Sequence, residues 1–226
     1  NDLLHIIQYL IEMEPSCVRT VDEFERTPLL LASCNTNITL DAVQLLVNTW
    51  PDSIRIPERN GYLPIHELCC NEKLGEGTSI DILQFMLDID PTLVREMGDD
   101  EYLPIHHAVN TNYFENSIHH AINAGTKSFE FCKILIDLYP ESLRASTSDG
   151  MLPIHLAVFH PNDQADKVDI IQYILDLCPE CIHSIDGRGS TPMHHAAQGK
   201  RVDIVELLLD HDPGAAHRPS GSLSCN

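Results

Sequence analysis

Histidine and cysteine are the residue types in this sequence that could form a metal or catalytic site, because both bind zinc and both take part in catalysis. Four histidines recur, one in each of four copies of a repeated phrase. A metal site would need several of them to converge on one point, whereas a register of one per repeat keeps them apart. We therefore predict a structural role, and no metal, for His66, His106, His155 and His194.

The remaining histidine and cysteine pairs are also poor candidates. Neighbouring residues on a helix point about 100° apart, so a doublet seldom chelates. A zinc site shared between Cys69, Cys70 and a neighbouring repeat stays open as an alternative. Residues 178–181 form a lone Cys-x-x-Cys that closes a helical pattern, whereas redox motifs of this spacing open a helix. We interpret that spacing as coincidence and expect reduced thiols in an intracellular protein.

No catalytic signature accompanies these residues. The sequence has no Walker loop, dinucleotide fingerprint, nucleophile elbow or His-Glu-x-x-His motif. Its carboxylates fall on the polar faces of helical patterns and at turn tips, where such groups are usually solvated. The sequence therefore predicts neither an enzyme nor a cofactor.

Two alternating phrases organise the chain and must position any functional residue. The first is Leu-Pro-Ile-His at 63–66, 103–106 and 152–155, with variants at 27–30 and 191–194. The second is an apolar helical pattern that ends at a proline. From that proline to the next motif proline the distance is always thirteen residues, so length varies only in the loop between the two helices. The motif residues are Pro28, Pro64, His66, Pro104, His106, Pro153, His155, Pro192 and His194.

Each repeat is predicted to consist of a turn, a short helix, a loop and a longer helix. Proline suits the first turn of a helix because its missing N–H costs nothing there. Neither helix can bury its apolar face alone, so the repeats must stack into an all-α solenoid. About six units, the first one partial, occupy residues 1–217, and residues 218–226 are predicted to form a polar tail. Because the chain opens inside a helical pattern, we interpret it as a fragment or a processed product.

These motifs resemble the Thr-Pro-Leu-His phrase of the ankyrin-repeat family, and the Leu-Pro-Ile-His variant resembles that of large, mostly uncharacterised algal ankyrin proteins. The resemblance implies non-catalytic protein–protein interaction, as scaffold or adaptor, through finger turns and inner helices. It also implies that the motif histidine bonds to the backbone of the adjoining turn. Two departures concern the fingers: Glu25 and Glu101 stand where Gly61, Gly150 and Gly189 supply a left-handed residue, so those two turns are expected to differ or to be strained.

The charge balance narrows the class of partner. Fourteen Lys and Arg against 34 Asp and Glu give a formal net charge of −20, which repels nucleic acids and anionic membranes and favours a basic partner. No apolar run approaches the ~18 residues of a membrane-spanning helix. We expect a soluble intracellular protein, cytoplasmic by default, whose oligomeric state stays open. The targeting part of a larger enzyme and a fixed subunit of a large assembly remain alternatives.

The predicted binding surface combines the fingers with the first-helix positions that follow the motif histidine. By register the fingers are residues 20–25, 56–60, 96–101, 145–149 and 184–188, where acids greatly outnumber bases. The alternative is that acids are spread everywhere for solubility and that the fingers are merely exposed turns. The candidate partner-binding residues are Asp22, Glu23, Glu58, Asn60, Glu67, Asp99, Asp100, Glu101, His107, Asp149, Leu156, Asp186, Arg188 and His195.

A basic column accompanies each repeat. Arg19, Arg55, Arg95 and Arg144 all lie four residues after the helix-ending proline, and an acid usually lies three residues before that proline. A cation returning over a helix C-terminus relieves the unfavourable effect of an acid there. We therefore predict an internal ladder of exposed ion pairs, in preference to a basic stripe for a ligand carboxylate or phosphate.

The longest insertion, residues 110–128, has no counterpart in the other repeats. Its Tyr113 and Phe114 fit either a local cap, which we favour, or a partner-binding loop.

Overall fold

The computed structural model describes residues 2–109, 127–158 and 166–214. Regular secondary structure in these residues is entirely helical. The predicted insertion at 110–128 therefore lies outside the described residues except for its last two, and so does the whole predicted tail. The α-helices are α1 (Asp2–Met13), α2 (Pro28–Ser33), α3 (Leu40–Thr49), α4 (Pro64–Cys70), α5 (Glu76–Ile89), α6 (Pro104–Val109), α7 (Phe129–Leu138), α8 (Pro153–Val158), α9 (Asp166–Leu177), α10 (Pro192–Gln198) and α11 (Val202–His211).

Prolines at two positions of the repeat open helices. The motif prolines are the first residues of α2, α4, α6, α8 and α10, as the sequence predicts. The prolines that follow α1, α3, α5, α7 and α9 begin short 3₁₀ helices, which were not predicted from the sequence, whereas Pro213 after α11 lies in a turn. Each 3₁₀ helix has five residues because the following chain turns into an extended finger. These 3₁₀ helices are Pro15–Arg19, Pro51–Arg55, Pro91–Arg95, Pro140–Arg144 and Pro179–His183.

The chain divides into two compact units, within residues 1–99 and 100–226. In the first unit the short helices α2 and α4 pack together, and the longer helices α1, α3 and α5 stack behind them. Its core contains Leu29, Val43, Ile65, Ile82 and Met86, all buried. In this unit, as predicted, each short helix buries its apolar face against the longer helix of its own repeat and against the next short helix.

The second unit repeats this arrangement. Its short helices α6, α8 and α10 pack in sequence, and α7, α9 and α11 form the second layer. Phe131, Ile170 and Ile204 occupy one repeat column and are all fully buried. Ser128 caps the start of α7 by accepting a hydrogen bond from the Phe131 N–H at 3.3 Å.

Cysteine pairing corrects one expectation. Cys178 and Cys181 are joined by a disulfide, with their Cα atoms 5.5 Å apart, so the prediction of reduced thiols throughout is wrong for this pair. Cys178 precedes the 3₁₀ helix that contains Cys181, and side chains three residues apart come into line in such a helix. Cys17, Cys34, Cys69, Cys70 and Cys132 are reduced, as predicted.

Candidate partner-binding surface of the fingers

The fingers at 20–25, 56–60, 145–149 and 184–188 are tight turns, each closed by two backbone hydrogen bonds. In the second finger the N–H of Glu58 donates to Tyr62 O at 3.0 Å, and the N–H of Gly61 donates to Glu58 O at 2.9 Å. The last finger has the same pair of bonds, from Asp186 to Ser190 and from Gly189 to Asp186, both 2.9 Å. The shape of a finger is therefore set by its own backbone.

Hydrogen bonds between successive fingers hold them in register. In the first unit the N–H of Arg59 donates to Phe24 O at 3.1 Å, and the N–H of Asp99 donates to Asn60 O at 3.0 Å. In the second unit Ser148 donates to Asp100 O and Gly187 donates to Asp149 O, at 3.1 and 2.7 Å. Because these donors and acceptors occupy equivalent positions, side chains of the same finger position repeat along each unit.

The motif histidines of α4, α6 and α8 connect these short helices to the next finger. Nδ1 of His66 accepts a hydrogen bond from the backbone N–H of Leu63 at 3.0 Å, and Nε2 lies 3.0 Å from Glu96 O. His106 makes the equivalent bonds to Leu103 and Ala145. Since Nδ1 accepts, Nε2 carries the proton and donates to the carbonyl oxygen. The predicted structural role of these histidines is confirmed.

Burial keeps the imidazoles of His106 and His155 neutral. Desolvation lowers the pKa of His106 to about 4. It also lowers the pKa of His155 to about 4, with a smaller contribution from the nearby His195. A second proton would have to go on Nδ1, where the backbone N–H already points at the lone pair. Protonation therefore breaks the bond that starts the short helix.

The two fingers with glutamate in place of glycine keep the same backbone conformation. Glu25 and Glu101 have φ angles of 66° and 61°, close to the 78° of Gly61 and the 73° of Gly150. The expectation of a different turn is therefore wrong, and that of strain is confirmed, because a side chain makes this left-handed region unfavourable. A hydrogen bond of the turn holds Glu25 there, because its N–H donates to Asp22 O at 3.0 Å.

Three of the predicted partner-binding acids instead hold the turns together. Oδ1 of Asp22 accepts hydrogen bonds from the N–H groups of Phe24 and Arg26, and Oε1 of Glu58 accepts from the Asn60 N–H at 2.8 Å. Oδ1 of Asp186 accepts from the N–H groups of Arg188 and Ser190, and its Oδ2 lies 2.8 Å from His195 Nε2.

The carboxylates of this set differ in how far they are available to a partner. Burial opposes ionisation of Asp186, but the Ser190 and Arg188 N–H groups and the His195 ring more than offset it, so its pKa is lowered. Glu58 and Asp186 are buried, which leaves little of either side chain at the surface.

The other predicted finger residues are exposed. These exposed residues are Glu23, Asn60, Asp99, Asp100, Glu101, Asp149 and Arg188, and Glu25 is exposed as well. Backbone N–H or carbonyl groups of Asn60, Asp99, Asp100 and Asp149 hold neighbouring fingers together while their side chains point away. Each unit therefore carries an acidic finger surface, with Glu23, Glu25 and Asp99 in the first and Asp100, Glu101 and Asp149 in the second.

The first-helix positions after the motif histidine are less exposed than predicted. His107, Leu156 and His195 are buried, because a short helix packed between two others has little free surface. Glu67 is partly buried and accepts a hydrogen bond from the Cys34 thiol at 3.1 Å, and burial raises the pKa of Glu67. The expectation of exposed side chains holds only for Leu31, the equivalent residue of the first copy.

Exposed apolar residues on the fingers are the feature that the sequence analysis missed. Val21, Met97 and Ile185 lie six residues after the proline of the 3₁₀ helix and are 52%, 48% and 60% exposed. Pro57 and Ser146 occupy the same position and are exposed too. In the sequence, these residues can be recognised as apolar residues two positions after the arginine of the basic column. No neighbouring helix covers that position.

The basic column forms a ladder to the following repeat. Arg55 bonds to Asp90 and Glu96, the latter at 2.9 Å. Arg19 lies over the Trp50 ring, 6.0 Å from its centroid, and Trp50 occupies the position of Asp90. Arg144 pairs with Glu180. Arg55 and Arg144 thus form ion pairs between repeats, as predicted, but the predicted acids are wrong, because each arginine reaches forward to the next 3₁₀ helix. Asp137, for example, pairs with Lys133 at 2.6 Å instead.

Metal and membrane sites find no support in the described parts of the chain. No three His, Cys, Asp or Glu side chains within 2–109, 127–158 and 166–214 are arranged to hold a metal ion. Burial raises the pKa of the Cys70 thiol, which disfavours the thiolate that metals bind. Across the same residues no helix is long and apolar enough to span a bilayer.

A comparison with known families agrees with the repeat pattern. Residues 118–218 match the family model for ankyrin repeats, in three copies.

Proposed function

Because the chain is an ankyrin-repeat protein, we propose that it is a non-catalytic scaffold or adaptor that binds a basic segment of a partner protein along its fingers. Ankyrin repeats mediate protein–protein interaction, and the fingers here carry the exposed charge. The observation that supports this most directly is the run of Asp99, Asp100 and Glu101 at one finger tip, with all three side chains exposed.

The held geometry of the fingers favours binding over mere solubility. Backbone hydrogen bonds within and between fingers hold the acids at regular positions, so a partner loses less freedom on binding than it would against mobile acids. A row of like charges also attracts a basic segment from a distance and speeds its association. The buried positions after the motif histidine shift the proposed surface from the inner helices to the fingers.

A charge-reversal experiment tests the proposal. The probe is a fluorescent peptide of alternating lysine and serine, and the variant is Asp99→Lys, Asp100→Lys, Glu101→Lys. We expect slower association and a weaker dependence on salt, measured by stopped flow at low and high ionic strength. The control reverses three exposed acids of the longer helices, Asp41→Lys, Asp81→Lys and Asp88→Lys, which changes the net charge equally.

The two triple variants separate a finger site from a general charge effect. Equal loss in both variants would mean that only the net charge matters, and it would overturn the proposal. Unchanged kinetics in the finger variant would do so as well. A loss confined to the finger variant supports the proposal.

A further inference from the structure

The exposed apolar residues of the first unit lie on the same side of the fingers as a consequence of backbone alternation. The finger begins in extended backbone, with φ −75° and ψ 135° at Glu96, five residues after the 3₁₀ proline. Seven residues after that proline the side-chain direction is inward, since Glu58 is buried and a β-carbon on Gly98 would meet the Tyr62 ring. Because an extended chain alternates its faces, the sixth position points outward.

Three consecutive fingers place an apolar side chain at this outward position. We call Val21, Pro57 and Met97 the apolar finger stripe. None of them has a role in the core, since all three are exposed. In the second unit the column holds Ser146 and Ile185, so it is apolar at only one of two fingers.

Acids flank the stripe. Glu23, Glu25 and Asp99 lie two to four residues beyond stripe positions, on the same finger turns. The two arginines of these turns are already engaged: Arg26 pairs with Asp22 at 2.7 Å, and Arg59 donates to Glu23 O at 2.6 Å. Both guanidinium groups also lie against Phe24, at 4.8 and 6.0 Å from its ring centroid. The stripe is therefore an apolar row beside carboxylates.

The spacing of the fingers specifies the partner further. Packed helices lie about 8–10 Å apart, so successive fingers are offset by about that distance. Three residues of an extended polyproline II segment span about 9 Å, and its three residues per turn return every third side chain to the same face. We propose, resting on the proposed function, that the apolar finger stripe binds an extended segment of a partner protein with an apolar residue at roughly every third position and basic residues between them.

The experiment compares two basic peptides of identical composition. One repeats Ile-Lys-Lys, and the other has its isoleucines clustered at one end. We expect the full chain to bind the periodic peptide about tenfold more tightly by fluorescence anisotropy. The double variant Val21→Ser, Met97→Ser should remove that preference, while Ile185→Ser, in the same column of the second unit, should leave it intact.

The outcomes distinguish the inference from the proposed function. The inference is overturned if both peptides bind equally to the unmodified chain, or if the double variant still prefers the periodic peptide. The proposed function is retained in either case if charge reversal at Asp99, Asp100 and Glu101 still weakens binding. Loss of the preference in Ile185→Ser alone would also overturn the stripe. Because the substituted side chains are exposed, thermal melts that match the unmodified chain verify that each variant is folded.

Discussion

Arg55 forms an ion pair with Asp90, the residue immediately before the proline that opens the next 3₁₀ helix. The same guanidinium also bonds to the Thr92 hydroxyl and to Glu96, so one side chain joins two repeats through three acceptors. At the equivalent positions Arg19 lies over Trp50, and His183 lies 3.5 Å from Asp212. The column thus links each of these repeats to the next, whatever the type of the acceptor.

The first prediction concerns this ladder. Arg55→Ala should lower the free energy of unfolding by up to about 1 kcal/mol, because the pair is partly exposed and screened by water. Urea denaturation at low salt measures the loss, which should shrink at high salt. Binding of a basic peptide should not change. Lost binding with an unchanged melt would instead identify the column as a ligand site.

The second prediction uses the strained finger turns. Glu25→Gly should raise the free energy of unfolding by about 1 kcal/mol, because glycine adopts the left-handed conformation without strain. Thermal or urea denaturation measures it. As a contrasting variant, Gly150→Ala should destabilise, since its added β-carbon would lie 2.7 Å from the Gly187 nitrogen that bonds to Asp149. A Glu25→Gly variant less stable than the parent would show that the glutamate side chain stabilises its turn.

Much of this architecture is predictable from the sequence, because the repeat register is unambiguous. The motif prolines at helix starts follow from the constant thirteen-residue distance between the two prolines of a repeat, and the structural role of His66 follows from the register of one motif histidine per repeat. The exposure of single positions is harder to predict. A helix of six residues, such as α8, makes fewer than two turns, so periodicity cannot tell that Leu156 is buried.

The acids that pair with the arginines of the basic column could not be predicted from the sequence, for a different reason. The expected acid, such as Asp88, lies three residues before its own proline, near the arginine of its own repeat in sequence. The observed partner of Arg55 is Asp90 of the following repeat, and the choice between them depends on which way the arginine extends. That direction is set by the stacking of repeats, which no local pattern records.

A third prediction is a loss of stability in mild acid. Burial lowers the pKa of His106 and of His155 to about 4, below the ordinary 6.5 of the unfolded chain. Below pH 6.5 these two histidines therefore bind protons in the unfolded state but remain neutral in the folded state. Stability should fall by about 1.4 kcal/mol per pH unit for each such histidine as the pH drops from 6.5 towards 4, and the full contribution is present above pH 6.5.

Urea denaturation between pH 7 and pH 5 measures this slope, since most carboxylates stay ionised in that range. His106→Gln removes one titrating group, so it should be less stable at pH 7 and should show a shallower decline. If its slope equals that of the unmodified chain, other groups account for the acid sensitivity.

The fourth prediction compares two leucines of the same repeat column. Leu135 in α7 is 1% exposed, whereas Leu10 in α1 is 51% exposed. Leu135→Ala should cost about 2–5 kcal/mol, because it removes buried methyl groups and leaves a cavity. Leu10→Ala should cost well under 1 kcal/mol, because its side chain already faces water and alanine favours the helix. Chemical denaturation of both variants gives the comparison, with circular dichroism to verify their helix content. Equal costs would mean that the face of α1 is covered in solution, whereas the expected difference would show that Leu10 and Leu135 have different environments although they share a repeat column.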